Sequence, residues 1–191
     1  VPGRNALRHR EALDLALCDP LTGLNNRRAF LDHLEREGRR AARHHRPLAL
    51  VLLDLDGLKP INDTFGHAAG DAALRLLAAV LVRSVRREDL VARIGGDEFA
   101  ILCPDTDVEA ARRIGARVQE GLAREEMICA NGVSMVQQRV SFGAADLRSA
   151  GSRDGLMEHA DRELYAAKRL RQGPPHLFRR SGTMQSEEAR V

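Results

Sequence analysis

A chain of 191 residues, 43% hydrophobic and 30% charged, is long enough for one domain with a proper core and a flanking segment, and its composition is that of a soluble globular protein. No apolar run approaches the roughly 20 residues of a spanning helix, the charged N-terminal residues are no signal peptide, and three scattered cysteines (Cys18, Cys103, Cys129) without a CxxC pair point to reduced thiols in the cytoplasm. A net charge of +3 and a pI near 9.1 permit an anionic partner without requiring one, while 3% aromatics and no tryptophan argue against base-stacking recognition of single-stranded nucleic acid.

Residues 1–18 are mostly helix-compatible with a weak stripe of Leu7, Leu13, Ala16 and Leu17, the expected end of a connecting helix from an upstream domain. Asp19-Pro20 breaks that helix, and residues 21–26 are turn-rich. The spacing of Phe30, Leu34 and Ala41 predicts a helix from about Arg27 to His45. Its other face carries Arg36, Arg39, Arg40 and Arg43, read as a solvated face, with a nucleic-acid patch as the minority alternative.

Leu48 to Leu53 is wholly apolar and of strand length, a central strand buried on both sides. The polar passage Asp54-Leu55-Asp56-Gly57-Leu58-Lys59-Pro60-Ile61-Asn62-Asp63 follows at once, then Gly66-His67 and Gly70-Asp71. Such density directly after a buried strand is what a site at a strand's C-terminal end looks like. A helix is expected from about Asp71 to Arg87, with Leu74, Leu77, Ala78, Leu81 and Val85 inward; Asp71 at its start has the simple explanation of favouring the positive end of the helix dipole.

In Arg93-Ile94-Gly95-Gly96-Asp97-Glu98-Phe99-Ala100-Ile101-Leu102, two strand-like runs flank a Gly-Gly pair, a hairpin signal in which glycine is expected to supply positive φ angles. An acidic turn tip is often no more than a solvated hairpin. Here a second carboxylate cluster, Asp54-Leu55-Asp56, also sits at a strand end, and two strands delivering carboxylates to one place suit hard divalent cations beside a nucleotide triphosphate. The two lysines, Lys59 and Lys168, stand out among 30 basic residues, because lysine is the compact point charge suited to phosphate oxygens.

Further on, Thr106-Asp107-Val108-Glu109 reads as a capping box opening a helix with Ala111, Ile114, Gly115, Val118 and Leu122 inward. Residues 128–144 read as strands with a turn near Asn131-Gly132. A last helix, about Ser152 to Arg171, aligns Met157, Ala160, Leu164 and Lys168 before Gly173-Pro174-Pro175 stops it; residues 174–191 look like a linker.

Gly95 to Phe99 spells the signature of the GGDEF family, the diguanylate cyclases, and the resemblance spans about Asp19 to Gly173. Asp19 to Arg27 resembles the family's opening motif, Asp54 to Asp71 its metal and guanine segment, and Val140-Ser141-Phe142-Gly143 and Ala160 to Lys168 its later motifs. The resemblance implies an α/β (α+β) fold like the palm of polymerases and class III nucleotide cyclases, with a central mixed, largely antiparallel sheet flanked by helices. It implies residues 1–18 as the end of a signalling helix, 19–173 as the cyclase domain and 174–191 as a linker, with a sensor upstream and a phosphodiesterase domain of the EAL type as a downstream candidate.

The implied activity joins two GTP molecules into cyclic di-GMP across a homodimer. Asp54, the Leu55 carbonyl, Asp97 and Glu98 would hold two Mg²⁺ (or Mn²⁺) ions, with Asp97 and Glu98 catalytic. Leu58, Lys59, Asn62, His67, Asp71, Gly95, Gly96, Lys168 and Arg171 would contact substrate, Asn62 and Asp71 reading guanine and the lysines meeting the triphosphate; His67 is equally readable as structural. Arg86 and Asp89, five residues short of Gly95, match the family's RxxD product-inhibition site, against the plainer reading of an i, i+3 ion pair at a helix end. One departure is that position 172 is Gln where the family usually has arginine, so that either Arg171 serves the phosphates or triphosphate binding is weaker; a GTP or cyclic di-GMP sensor without turnover is the alternative reading.

Overall fold

The computed structural model describes residues 17–128, 134–170 and 177–179, with the backbone alone at Ile128, 134–136 and 177–179. The connecting helix expected before Asp19, Cys129, the Asn131-Gly132 turn, Arg171, Gln172 and most of the C-terminal linker lie outside the described residues.

Strand β1 (Leu48–Asp56) is the axis of the fold. It pairs antiparallel with β3 (Glu98–Pro104) on one side and β6 (Arg139–Asp146) on the other, and β2 (Leu90–Arg93) adds to β3, giving the order β2-β3-β1-β6. The only parallel pairing among the described residues is an isolated bridge between Asn25 and Ala92. Alternation along β1 explains its apolar run, because successive side chains enter opposite cores. Ala49, Val51, Leu53 and Leu55 pack with α3 (His67–Ser84) and α4 (Val108–Ala123). Leu48, Leu50 and Leu52 pack with Phe30 and Leu34 of α1 (Arg27–His44) and with Leu156, Ala160 and Leu164 of α6 (Arg153–Leu170). No helix among the described residues is long and apolar enough to cross a membrane.

Several local signals act at neighbouring positions to those expected. Asn26 caps α1, its side chain accepting the Ala29 N–H at 3.0 Å. Helix α4 is capped by Asp107, which accepts the Ala110 N–H at 2.7 Å; the Thr106 hydroxyl donates backward to the Pro104 carbonyl, so the expected capping box does not form. Helix α2 (Leu58–Phe65) occupies the passage that reads from sequence only as polar loop. Pro60 is tolerated there because the first turn of a helix has no intrahelical acceptor for its N–H groups. Helix α3 starts at His67 rather than Asp71, so Asp71 lies a full turn inside and its acidity is not explained by a helix start.

Beyond α4, β4 (Glu126–Ile128), β5 (Ser134–Gln137) and β7 (Leu177–Arg179) make a separate three-stranded antiparallel sheet. Residues 177–179, expected to be linker, thus add a strand to β5, pairing Leu177 with Val136 and Phe178 with Met135. The four-residue helix α5 (Leu147–Ala150) joins β6 to α6.

Helix α6 lies main chain to main chain on β6. A Cβ at Gly143 would stand 2.2 Å from both the Ala160 carbonyl oxygen and the Leu164 nitrogen, so only glycine lets the helix come so close. Gly143→Ala should therefore destabilise the fold by about 1–3 kcal/mol in urea unfolding, the cost of an overpacked core. Gly96→Ala, whose Cβ meets nothing within 4 Å, should stay within about 0.5 kcal/mol of the parent.

Candidate active site

Asp54 is the acid at the buried end of β1, 5% exposed, and the register sets it opposite Glu98 of β3 and Ser141 of β6. Residues directly opposite in a ladder project to the same side. Asp54 and Glu98 therefore share the side covered by α6, from which Lys168 reaches Asp54, Nζ to Oδ2 at 2.6 Å. The neighbouring acid of the same cluster, Asp56, accepts from the Ser141 hydroxyl at 2.8 Å, on the same side of the sheet.

The turn between β2 and β3 is stitched across this end. The N–H groups of Ile94 and Gly95 donate to the Glu98 carbonyl at 2.9 and 3.3 Å, and the Leu55 N–H donates to the Asp97 carbonyl at 3.0 Å. Neither Gly95 nor Gly96 has a positive φ, contrary to the sequence expectation. A Cβ at Gly95 would lie 2.4 Å from Glu98 Oε2 and displace that carboxylate from its place, whereas Gly96 faces open space where a ligand can approach the main chain. Glu98 also borders a cavity of about 340 Å³ with Arg27, Phe30, Ile94, Met157 and Asp161.

Arg93 is a site residue that the sequence reading missed. Its guanidinium donates to the Gly96 carbonyl through Nε at 3.1 Å and Nη2 at 2.7 Å, and through Nη1 to both Asp19 oxygens at 3.1 and 3.2 Å. Asp19 also accepts the Thr22 N–H at 2.9 Å and hydroxyl at 2.7 Å. The Asn25 amide donates to the Val91 carbonyl at 3.0 Å. The opening turn is thereby a brace for the Gly-Gly turn. Only an arginine immediately before such a turn, with an unexplained acid far upstream, signals this in sequence.

Burial pushes the Asp54 carboxyl up to about 6; the charges of Asp97 and Asp56 push the same way, and the Lys168 ammonium offsets them only in part. Burial lowers the pKa of Lys168, but Asp54, Asp97 and Glu98 outweigh it and raise the pKa overall. Among the described residues no three acidic, imidazole or thiol groups converge as a ready metal cage. The carboxylates instead ring a strand end, and Lys168 supplies a partial counter-charge to the buried one. The donors are all hard oxygens, and the negative charge of Asp54 and its acidic neighbours is offset by Lys168 only in part, so the set fits a divalent cation such as Mg²⁺.

On the nucleotide side, Gly57 takes a left-handed φ of 77° and turns β1 straight into α2, so the open N–H groups of Leu58 and Lys59 lie just past the strand end. Lys59 is exposed. Asn62 Oδ1 is buried without a hydrogen-bond partner. A Cβ on Gly70 would lie 1.9 Å from that oxygen and 3.1 Å from Leu58 Cδ1, so Leu58, Asn62 and the start of the Gly70-Asp71 pair converge where α2 meets α3. His67 is exposed at the first position of α3. Arg171 lies outside the described residues.

Arg86 and Asp89 are apart from this cluster, in the loop after α3. Asp89 accepts the Arg86 backbone N–H at 2.9 Å, closing a turn beyond the helix instead of the i, i+3 helical ion pair. Burial is the largest influence on Asp89 and raises its pKa, against the N–H of Arg86 and the charges of Arg86 and Arg117. Arg86 lines a cavity of about 320 Å³ with His33, Arg36, Arg40 and Glu88.

Residues 16–173 match the family described as diguanylate cyclase, GGDEF domain. The chain is 39% identical to the response regulator PleD of Caulobacter vibrioides over 166 residues, 86% of this chain and 36% of that protein. It is 40% identical to the diguanylate cyclase DgcP of Pseudomonas aeruginosa over 154 residues, 81% of this chain and 23% of that protein. The chain thus spans about a third or less of these relatives. Among solved structures, the GGDEF domain of DgcB from Caulobacter crescentus in complex with c-di-GMP superposes with a TM-score of 0.78 at 32% identity, covering 83% of this chain and 94% of that one.

The brace at Asp19 is open to a pH test. Burial raises its pKa, but the hydrogen bonds from Thr22 and Arg93 prevail and hold it below the ordinary 3.8. Its contribution is present above the unfolded-state value and is lost as pH falls through the lower, folded one. Asp19→Asn should cost about 1–2 kcal/mol in urea unfolding at pH 7, and the gap to the parent should close as pH drops below about 4. A gap that stays constant with pH would rule out an ionic role.

Proposed function

The chain belongs to the GGDEF family of diguanylate cyclase domains, and from that premise we propose that it condenses two GTP molecules into cyclic di-GMP across a homodimer. The observation that carries the reading is Lys168 at one strand end, paired with Asp54 and within electrostatic reach of Asp97 and Glu98, with the first turn of α2 opening beside them.

In each protomer the triphosphate lies over the start of α2, where the N–H groups of Leu58 and Lys59 and the Lys59 ammonium face its oxygens. Lys168 exchanges its contact with Asp54 for phosphate, and Arg171 assists. Gly95 and Gly96 leave the main chain bare for the ribose and phosphates. Asn62 and Asp71 read guanine: its N1–H and amino group need acceptors, which the unsatisfied Asn62 Oδ1 and the Asp71 carboxylate provide. His67, at the start of α3, borders the substrate. Two Mg²⁺ (or Mn²⁺) ions, held by Asp54, the Leu55 carbonyl, Asp97 and Glu98, would supply activation of the ribose 3′-hydroxyl and neutralise charge on the α-phosphate and leaving group.

Each 3′-oxygen then forms a bond to the α-phosphorus of the opposite GTP as the bond to pyrophosphate breaks; two such steps close the ring and release two pyrophosphates. Because each protomer holds one GTP, pairing the chains sets the two substrates face to face and provides much of the rate. Arg86 and Asp89 bind the product, the guanidinium engaging phosphate and the carboxylate the guanine N–H groups.

Incubation with GTP and Mg²⁺ over a range of protein concentrations should yield cyclic di-GMP and pyrophosphate, rising more steeply than the protein concentration. Asp97→Ala with Glu98→Ala should lower the rate by at least about 10³-fold. GTP binding without product, even with dimerisation forced by a fused coiled coil, would overturn turnover in favour of the nucleotide sensor and make Gln172→Arg the first restoration. In the same assay Arg86→Ala with Asp89→Ala should leave the initial rate intact and weaken inhibition by added cyclic di-GMP roughly tenfold or more.

A further inference from the structure

The cavity at the opposite end of the central sheet has no part in this chemistry. It holds about 510 Å³ where the last turns of α1 meet α5 and the start of α6, and its lining includes Arg39, His45, Arg46, Arg148, Ser152 and Arg153. It opens where β1 begins, about 20 Å along the strand from Asp54 at roughly 3.4 Å per residue. We propose that it binds a small phosphorylated molecule carrying two phosphoryl groups.

The charge balance carries the argument. Among the described residues, four arginines line the cavity and no carboxylate does. Behind them Glu35 pairs with Arg39 at 2.5 Å and with Arg153, and Asp105 pairs with Arg46 at 3.0 Å. Arg148 makes no ion pair among the described residues and lies only within electrostatic reach of Asp146. Four guanidinium groups against Glu35, Asp105 and the more distant Asp146 leave the wall net positive, and four guanidinium forks are enough to grip two phosphoryl groups, two forks to each.

The wall is also built in advance. A Cβ on Gly38 would sit 2.7 Å from Arg153 Cδ, so this buried glycine gives the arginine stem a path across α1 and fixes its head at Glu35. Arg153 is itself the first residue of the 18-residue α6, whose positive end adds to the field at the same wall. Guanidinium forks are the side chains suited to bidentate phosphate contacts. Among the described residues no Phe, Tyr or Trp lines the cavity, so recognition rests chiefly on the phosphates. The volume suits a sugar-phosphate or nucleotide-sized ligand, which a bilayer headgroup plane or a polynucleotide would not fill.

Isothermal titration in divalent-free buffer, without GTP, tests this independently of turnover. Fructose 1,6-bisphosphate serves as the two-phosphoryl probe and inorganic phosphate as the one-phosphoryl comparison. One bisphosphate should bind per chain, at least tenfold tighter than phosphate. Arg148→Glu and, separately, Arg39→Glu should each weaken it tenfold or more; both positions are exposed, and circular dichroism checks that the fold persists. Lys59→Ala with Lys168→Ala, and Arg86→Ala, should leave it unchanged. Binding lost in those variants but kept in Arg148→Glu would overturn the proposal, as would no binding at millimolar probe. Sedimentation with phosphatidylglycerol vesicles separates the lipid source: capture by vesicles that Arg148→Glu abolishes, without bisphosphate binding, would equally overturn it.

Discussion

A carboxylate at the buried end of a strand that is apolar on both faces is the constraint on which this molecule turns. Removing such a charge from water is costly unless something nearby balances it. Here an ammonium from α6 supplies part of the balance, Lys168 meeting Asp54 at 2.6 Å. The same buried setting that lifts the Asp54 pKa to about 6 also makes that strand end attractive to a cation. Fold and chemistry therefore share one origin: a central strand that runs out of apolar residues just as it reaches the edge of the core.

Around that point the chain divides its tasks by element. The β2–β3 turn brings carboxylates and a bare glycine main chain; α2 brings open N–H groups; the α2–α3 junction brings an unsatisfied amide oxygen and an acid. None of these elements is large, and each is anchored by contacts away from the open side. Arg93 ties the turn to the opening segment, and Gly70 admits Asn62 where any side chain would collide. The site is thus rigid where it is attached and open where a ligand enters, the arrangement that keeps reorganisation small.

Much of this was legible in the chain because it depends on local pattern. The run from Leu48 to Leu53, the inward faces of α3 and α4, and the acids flanking Gly95-Gly96 follow from periodicity and turn chemistry alone. Helix α2 was not, because a short, polar, proline-bearing segment looks like loop until the strand before it and the helix after it fix its ends. The cap of α4 moved from Thr106 to Asp107 since either residue can accept an N–H and only the path of the chain after β3 decides. Nor could β7 be foreseen: a strand of three residues has no period to detect, and its partner β5 lies some forty positions away. Arg93 is the instructive miss, as its meaning lies wholly in a contact with Asp19 across 74 positions.

The glycine at position 143 carries a consequence for how this domain tolerates sequence drift. Where a helix rests on a sheet through side chains, its height follows their volumes, and every exchange among aliphatic residues shifts it. Here the spacing of α6 above β6 is set by main chain against main chain, at a position with no side chain to vary. Leu156 and Leu164 fill the gaps beside that contact and do not define it. Exchanges among the aliphatic residues of this layer therefore leave the ammonium at position 168 at the same height over the strand end.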